Sequence, residues 1–297
     1  MEYRVLGKSS LSVSRIGFGC MSLRENDPGN ERLLSAAIEK GINFFDTADR
    51  YGQGNNEALL GKALKQKRTA LLIATKVGNQ MKEDGSGWVW NPRKAYILSC
   101  VDKSLQRLQT DYIDLYQLHG GTIQDNIGES IEAFEILQQQ GKIRFYGISS
   151  IRPNVIRAYA SRSALCSVMM QYSLLDRRPE ESCFDLLEDQ HIGVLARGAL
   201  AGGLLVDKPA RDYLNYSQEK VKKAADAVGQ VSGKKNKTAT ALQFVLKQSV
   251  VAAAVVGIRT MKQLNEAVAA EKSPPLNEND LSLLRYSVPL NYYKEHR

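Results

Sequence analysis

The chain has 297 residues, of which 43% are hydrophobic and 24% are charged, and this ordinary globular composition excludes a disordered or fibrous protein. Its formal net charge of +8 permits nucleic acid, anionic membranes or phosphorylated small molecules as partners. The basic residues are spread along the chain, however, and the one dense cluster, residues 234–237, has no interleaved aromatic residues. We interpret that cluster as a solvated loop and expect neither nucleic acid nor membrane as a partner.

The ends, cysteines and histidines narrow the class of protein further. Residues 1–4 contain no apolar stretch of the kind that secretory signals need, and no apolar run approaches the roughly 18–20 residues of a membrane span, so we expect a cytoplasmic protein. Four cysteines without a CxxC pair are typical of reduced, buried thiols. With three histidines and no HExxH motif, we predict no metal site. No coiled-coil pattern sets an oligomeric state.

Short apolar runs alternate with longer amphipathic stretches along the chain. Residues 3–13 predict a hairpin, and eight strand candidates follow, each succeeded by a helical pattern. The strands are predicted at residues 15–20, 42–46, 70–77, 112–119, 143–149, 166–172, 192–197 and 250–257. The helices are predicted around residues 33–41, 57–64, 91–108, 127–140, 153–160, 180–190, 218–229, 239–248, 261–269 and 278–286.

Strands that alternate with helices favour parallel pairing through right-handed crossovers. Eight such units predict a single α/β domain over residues 1–297, a closed (β/α)8 TIM barrel with extra C-terminal helices. A doubly wound open sheet is the alternative, since the number of strands does not prove closure. That fold carries GxGxxG after its first strand, whereas residues 17–22 read GFGCMS without the third glycine.

Polar residues stand where the predicted barrel strands end, which is where barrels carry their chemistry. They are Asp46, Tyr51, Lys76 and His119. A buried Lys and Asp are costly unless they pair, and an ammonium beside a phenol lowers the pKa of the phenol from about 10. We therefore predict a relay in which Tyr51 donates a proton to a carbonyl oxygen. Spacing alone leaves open a surface tyrosine, a helix-capping aspartate and a core histidine.

Residues 43–52, which read NFFDTADRYG, resemble the signature of the aldo-keto reductase superfamily, and Glu57 and Gly61 fit behind them. Residues 74–76, 111–119 and 141–149 agree with further family stretches in order and spacing. The resemblance is to the bacterial-type branch that includes channel β-subunits and covers residues 3–267. It implies NADPH-dependent reduction of small aldehydes and ketones in a barrel capped by the N-terminal hairpin.

The resemblance also implies roles for the strand-end residues. Tyr51 is the expected general acid, and Lys76 paired to Asp46 is expected to lower its pKa. His119 is expected to help orient the carbonyl and to share its proton. The alternative is a nucleotide-binding regulatory subunit on the same barrel, because a fold does not fix a function. The intact set of four residues favours the enzyme.

The cofactor positions follow from the same resemblance. Ser149 and Gln171 match residues that bind the carboxamide, and a segment after the seventh strand is expected to wrap the pyrophosphate. That segment contributes Arg197, Gly198, Ala199, Leu200 and Gly202. The adenosine end is expected to be bound by Gly257, Arg259, Gln263 and Glu266. Arg259 is predicted to contact the 2′-phosphate, since a guanidinium makes bidentate phosphate contacts.

Three features depart from the family pattern or extend it. Ser150 replaces a usual asparagine, and Arg197 stands where many members have an aromatic ring stacked on the nicotinamide. Arg197 is expected to stack, to contact a cofactor phosphate or to contact an acidic substrate. Trp88 and Trp90, in the Gly-rich loop 79–91, are candidates for the substrate wall, with packing on the barrel as the alternative.

Overall fold

Alternating strands and helices account for most of the chain in the computed structural model, which describes residues 1–233 and 236–297. The strands are β1 Tyr3–Val5, β2 Ser12–Ser14, β3 Ile16–Gly19, β4 Phe44–Asp46, β5 Leu72–Val77, β6 Asn79–Met81, β7 Trp88–Trp90, β8 Ile113–Leu118, β9 Ile143–Ser149, β10 Ser167–Gln171, β11 Gly193–Arg197 and β12 Val251–Gly257. The helices are α1 Gly29–Glu39, α2 Asn55–Leu64, α3 Lys94–Leu108, α4 Ile127–Gln139, α5 Pro153–Ala160, α6 Cys183–Asp189, α7 Gln218–Ser232, α8 Lys237–Leu246, α9 Met261–Val268 and α10 Glu278–Ser287.

Eight of these strands close into a barrel in the order β3-β4-β5-β8-β9-β10-β11-β12, with β12 beside β3. Every neighbouring pair is parallel, as strands joined by helical crossovers must be. The predicted (β/α)8 TIM barrel is confirmed, and the open sheet is wrong. The register places Asp46 opposite Ala74, and Lys76 opposite Gln117, so these residues reach the same end of the barrel.

Two apolar cores result from the alternation of side chains along the strands. On β8, Leu115 faces the smaller core inside the barrel, whereas Tyr116 and Leu118 belong to the larger core between strands and helices. Tyr116 packs edge-on against Phe134 of α4, with ring centroids 5.7 Å apart. Each fully buried side chain of this size stabilises the fold by about 1.5–3 kcal/mol, so the barrel is a rigid support for the residues at its rim.

The N-terminal hairpin closes the end of the barrel where the strands begin. Its strands β1 and β2 pair antiparallel, and Leu6 and Leu11 are buried in the inner core. Gly7 has a φ of +54°, and a Cβ there would lie 2.2 Å from the carbonyl oxygen of Cys166. Only glycine fits so close to the strand backbone. The predicted hairpin cap is therefore present, and the opposite end of the barrel stays open.

The structure corrects three local predictions. Residues 79–91 are not a plain loop, because β6 and β7 form an antiparallel hairpin there. The helix predicted over 180–190 is a 3-10 turn, Arg178–Glu181, followed by α6. In the predicted solvated loop 234–237, Lys234 and Lys235 lie outside the described residues, whereas Asn236 caps α8 by accepting a bond from the amide of Ala239. Among the described helices, none combines the length and hydropathy needed to cross a membrane.

Candidate active site

A cavity of about 960 Å³ opens at the carboxyl ends of the barrel strands. Asp46 ends β4, Lys76 lies near the end of β5, His119 follows β8, and Tyr51 lies in the 3-10 turn after β4. All four side chains line the cavity. The fold therefore brings together the four residues that the sequence singled out from separate strands.

A buried ion pair joins Lys76 to Asp46. The Lys76 ammonium donates to both Asp46 carboxylate oxygens and to the Thr47 carbonyl, each at 2.7 Å, and Lys76 is only 1% exposed. Burial lowers the pKa of Lys76, but the charge and the hydrogen bonds of the Asp46 carboxylate, with a further contribution from Tyr51 when it is ionised, outweigh that effect, so the net direction is upward. The lysine therefore carries its charge at neutral pH. Gln117 donates a longer bond of 3.4 Å to Asp46 and supports the carboxylate.

Tyr51 lies beside this charge, with the Lys76 ammonium 5.4 Å from the centroid of its ring. Burial raises the pKa of Tyr51, and the opposing effect of Lys76 offsets only part of that rise. The prediction that Lys76 brings the Tyr51 pKa below its ordinary value is therefore wrong in its net direction, because desolvation of the phenolate is the larger effect. Tyr51 is protonated at neutral pH, as a proton donor must be.

His119 completes the group as a neutral imidazole. Its ring meets the Tyr51 ring edge-on, with centroids 5.9 Å apart. Burial, followed by the positive charge of Lys76, lowers the pKa of His119 to about 2. Its Nδ1 is buried and has no hydrogen-bond partner within the described residues. Buried polar atoms are nearly always paired, so this nitrogen lacks the partner that such an atom ordinarily has.

The two residues predicted to bind a carboxamide behave differently. Ser149, at the end of β9, lines the cavity, but Gln171 does not. The Gln171 amide nitrogen donates to the Tyr213 hydroxyl at 3.0 Å, and its oxygen accepts from Arg197 Nη1 at 3.1 Å. Arg197 does line the cavity. Gln171 therefore lies behind Arg197 in this structure.

The segment after β11 forms one wall of the cavity. All its predicted residues line that wall: Arg197, Gly198, Ala199, Leu200 and Gly202. Gly198 and Gly202 have φ values of +71° and +66°, and no atom lies within 4 Å of a Cβ built on Gly202. The loop then folds back, because the Lys208 amide donates to the Gly203 carbonyl at 3.0 Å. This brings Lys208 to the cavity as well.

The predicted adenosine end lies beside the start of α9, and all four of its residues line the cavity: Gly257, Arg259, Gln263 and Glu266. The Gln263 side chain accepts a bond from the Arg259 amide at 2.9 Å, and Thr260 caps the helix. The Arg259 side chain is exposed and pairs with no other described residue.

The two tryptophans of the β6–β7 hairpin do not share a role. Trp90 lines the cavity, and its indole nitrogen donates to both carboxylate oxygens of Asp125, at 3.1 and 3.0 Å. Its ring covers Gly78 and Gly120, where a Cβ would approach the ring to 2.7 and 3.2 Å. Trp88 does not line the cavity. Of this predicted pair, only Trp90 is placed to contact a ligand.

Comparison with known proteins gives the family. Residues 15–287 match the model of the aldo/keto reductase family. This chain is an aldo/keto reductase. It is 47% identical over 306 residues to the uncharacterized oxidoreductase YqkF of Bacillus subtilis, with both chains covered completely. It is 30% identical to the NADH-specific methylglyoxal reductase of Escherichia coli, over 94% of this chain and 96% of that one.

The fold comparison agrees. The aldo-keto reductase AKR11C1 from Bacillus halodurans, in its holo form, superposes with a TM-score of 0.95 at 46% identity, covering 100% of this reductase and 99% of that chain. The protein is therefore an oxidoreductase, and its family uses nicotinamide cofactors.

The cavity of this reductase fits such a cofactor. Its volume lies at the upper end of the range of about 300–1,000 Å³ that ligand pockets span. Arg259 and Lys208 have unpaired side chains along its length, which suits a ligand with several phosphates. His119 provides the unpaired buried nitrogen near Tyr51. In the described residues, no cluster of His, Cys, Asp and Glu could hold a metal ion.

Sequence reasoning missed several residues of the reductase that line the cavity: Met21, Ser22, Arg50, Arg152 and Lys208. Met21 and Ser22 come directly after β3, so the strand-end rule could have found them. Arg50 precedes Tyr51, and Arg152 follows Ser150 by two residues. Both lie on loops, which no strand pattern marks.

Proposed function

We propose that this aldo/keto reductase reduces aldehydes and ketones to alcohols with NADPH, and that Tyr51 is the general acid. The observation that carries the proposal is the meeting of protonated Tyr51, charged Lys76 and neutral His119 in one cavity that fits a dinucleotide. When bound, the nicotinamide supplies hydride from its C4 to the carbonyl carbon. The protein's own residues supply the proton and position the carbonyl.

Tyr51 supplies the proton. Its hydroxyl donates to the carbonyl oxygen and transfers the proton as negative charge develops there. The phenolate that remains lies beside the Lys76 ammonium, which stabilises it more strongly than the neutral phenol. Asp46 holds that ammonium through two bonds of 2.7 Å, so the charge is in place before the reaction begins.

His119 positions the carbonyl and is not the proton source. A pKa of about 2 keeps the imidazole neutral throughout the physiological range. A neutral imidazole can donate one hydrogen bond, whereas an imidazolium would be needed to give up a full proton readily. The burial that makes His119 a poor acid therefore leaves Tyr51 as the donor.

NADPH is favoured over NADH by Arg259. Its unpaired guanidinium lies at the start of α9, where the helix dipole also favours negative charge. A 2′-phosphate would be stabilised by both the guanidinium charge and the helix dipole, whereas an uncharged 2′-hydroxyl would gain little from either. One relative is NADH-specific, so the preference depends on particular residues, and Arg259 is the one we assign to it.

The test is oxidation of NADPH by the purified protein with 4-nitrobenzaldehyde and a panel of further aldehydes and ketones. We expect carbonyl-dependent loss of absorbance at the nicotinamide band, and tighter binding of NADPH than of NADH by fluorescence titration. Cofactor binding without turnover of any carbonyl would contradict the proposal and favour the regulatory-subunit alternative.

A further inference from the structure

Arg50 is a cation without a counterion at the reactive end of the cavity. It directly precedes Tyr51 on the loop after β4, and it is one of the residues that line the cavity. Across residues 1–233 and 236–297, the Arg50 guanidinium makes no hydrogen bond or ion pair. A guanidinium offers several donors in a rigid plane that matches carboxylate and phosphate groups.

Three carboxylates line the cavity among the described residues, and none of them pairs with Arg50. Asp46 is held by Lys76 at 2.7 Å, while Asp207 and Glu266 accompany the segment and helix assigned to the cofactor. Nothing among the described lining residues therefore neutralises Arg50. Its charge contributes to lowering the pKa of His119, after burial and Lys76, which places its field on the reacting groups.

A second guanidinium adds to the positive wall. Arg152, after β9, lines the same cavity, and its Nη1 donates to the Gly121 carbonyl. That bond fixes the side chain beside the loop that follows His119. Cations on two sides of a cavity concentrate anionic ligands there and exclude cationic ones.

We propose that the carbonyl substrate of this reductase carries a carboxylate or phosphate group, and that Arg50 binds that group while Tyr51 and His119 bind the carbonyl. The proposal rests on the carbonyl reduction described above and adds the substrate class. Because Arg50 adjoins Tyr51 in sequence, we assign its anion to the same molecule as the reacting carbonyl and not to the phosphates assigned to Arg259.

A matched pair of substrates tests it. 4-Carboxybenzaldehyde and 4-nitrobenzaldehyde have nearly the same size and shape, but only the first is an anion, and the nitro group also withdraws electrons from the carbonyl more strongly than the carboxylate does. At low ionic strength we expect the ratio of kcat/KM for the carboxylate to kcat/KM for the nitro compound to be about tenfold higher in the wild type than in Arg50→Gln, because the difference in intrinsic reactivity is common to both enzymes. Added salt should reduce this advantage, because screening weakens the attraction to the anion only.

The variants assign the effect to Arg50. In Arg50→Gln the ratio of the two kcat/KM values should fall by this factor, and Arg50→Lys should keep part of the wild-type ratio. The ratio cancels any common effect on Tyr51. Arg32→Gln is the matched control, because Arg32 is exposed on α1, is unpaired among the described residues and does not line the cavity. It should leave the ratio unchanged.

A second pair, glyceraldehyde 3-phosphate and glyceraldehyde, shows whether a phosphate or a carboxylate is preferred. A ratio that Arg50→Gln leaves unaltered for both pairs would overturn the assignment of Arg50. Turnover of 4-nitrobenzaldehyde in that case leaves carbonyl reduction intact. Absence of turnover with all four compounds would instead overturn the proposed function, and this inference with it.

Discussion

Gln171 and Arg197 stand opposite one another on β10 and β11, and a hydrogen bond of 3.1 Å joins their side chains. The Tyr213 hydroxyl accepts from the other end of the same amide at 3.0 Å. These two hydrogen bonds link Tyr213, Gln171 and Arg197, and they set the direction of the guanidinium of Arg197, a residue that lines the cavity. Arg197 is expected to stand where many family members have a stacking aromatic ring, and these hydrogen bonds would orient it there.

The first prediction concerns Tyr213. Tyr213→Phe removes the acceptor for the Gln171 amide and frees Gln171 and Arg197 to move. We expect NADPH to bind a few-fold more weakly, with a smaller change in kcat, because one neutral hydrogen bond contributes about 0.5–1.5 kcal/mol. Fluorescence titration measures the binding. Tyr286→Phe, at a residue 84% exposed, is the control, and equal affinity of the two variants would contradict the positioning role.

The second prediction concerns the stability of the buried ion pair. Lys76→Met leaves the Asp46 carboxylate buried without its partner, so the free energy of unfolding should fall by about 3–5 kcal/mol. The double variant Lys76→Met with Asp46→Asn removes both charges and should regain most of that loss while remaining inactive. Urea unfolding measures both. A double variant no more stable than the single one would show that the two charges do not compensate each other.

The third prediction concerns Asp49, which follows the signature aspartate by three residues. Burial, followed by the charge of Glu57, raises the pKa of Asp49 to about 7, and its Oδ1 has no partner among the described residues. The folded protein therefore keeps Asp49 protonated at pH values where the unfolded chain, which releases this proton near pH 4, is ionised. The stability that results is fully present below about pH 4 and is lost as the pH rises through about 7.

Asp49→Asn tests whether Asp49 makes stability fall as the pH rises. The neutral amide cannot ionise. The free energy of unfolding of the variant, relative to that of the wild type, should therefore be higher at pH 8 than at pH 5. Urea unfolding at the two pH values gives the comparison. A difference that is constant with pH would mean that Asp49 is not protonated in the folded state.

The fourth prediction concerns the choice of cofactor. Arg259→Ala should raise the KM for NADPH by about tenfold and leave the KM for NADH nearly unchanged, because only NADPH has a 2′-phosphate that the guanidinium would contact. The Arg259 amide and its bond to Gln263 survive this change. Arg32→Ala controls for the loss of surface charge. Equal weakening of both cofactors would show that Arg259 contacts something common to them.

The barrel and the positions of its four central residues could be predicted from sequence for a physical reason. Strands such as β5 are apolar on both faces, so a charged Lys76 near the end of one stands out and calls for a partner at the same level of the barrel. Parallel register then supplies Asp46, since neighbouring strands end together.

The remaining features depend on packing that the sequence pattern does not show. The pKa of Tyr51 rises because surrounding loops exclude water, which outweighs the charge of Lys76. The direction of Gln171 depends on Tyr213, which is 42 residues away in the chain. The β6–β7 hairpin lacks the apolar alternation that marks a strand, and it is held partly by the contact of Trp90 with Asp125.

The most direct test of the account is single-turnover reduction of 4-nitrobenzaldehyde by the NADPH complex of Tyr51→Phe, with Tyr286→Phe as the matched control. The substitution removes one hydroxyl and leaves the ring, so NADPH should bind with unchanged affinity. If Tyr51 donates the proton, the rate should fall by about 10²–10⁴-fold in Tyr51→Phe and stay at the wild-type value in Tyr286→Phe. A Tyr51→Phe enzyme that reduces the aldehyde within a few-fold of the wild-type rate would contradict it.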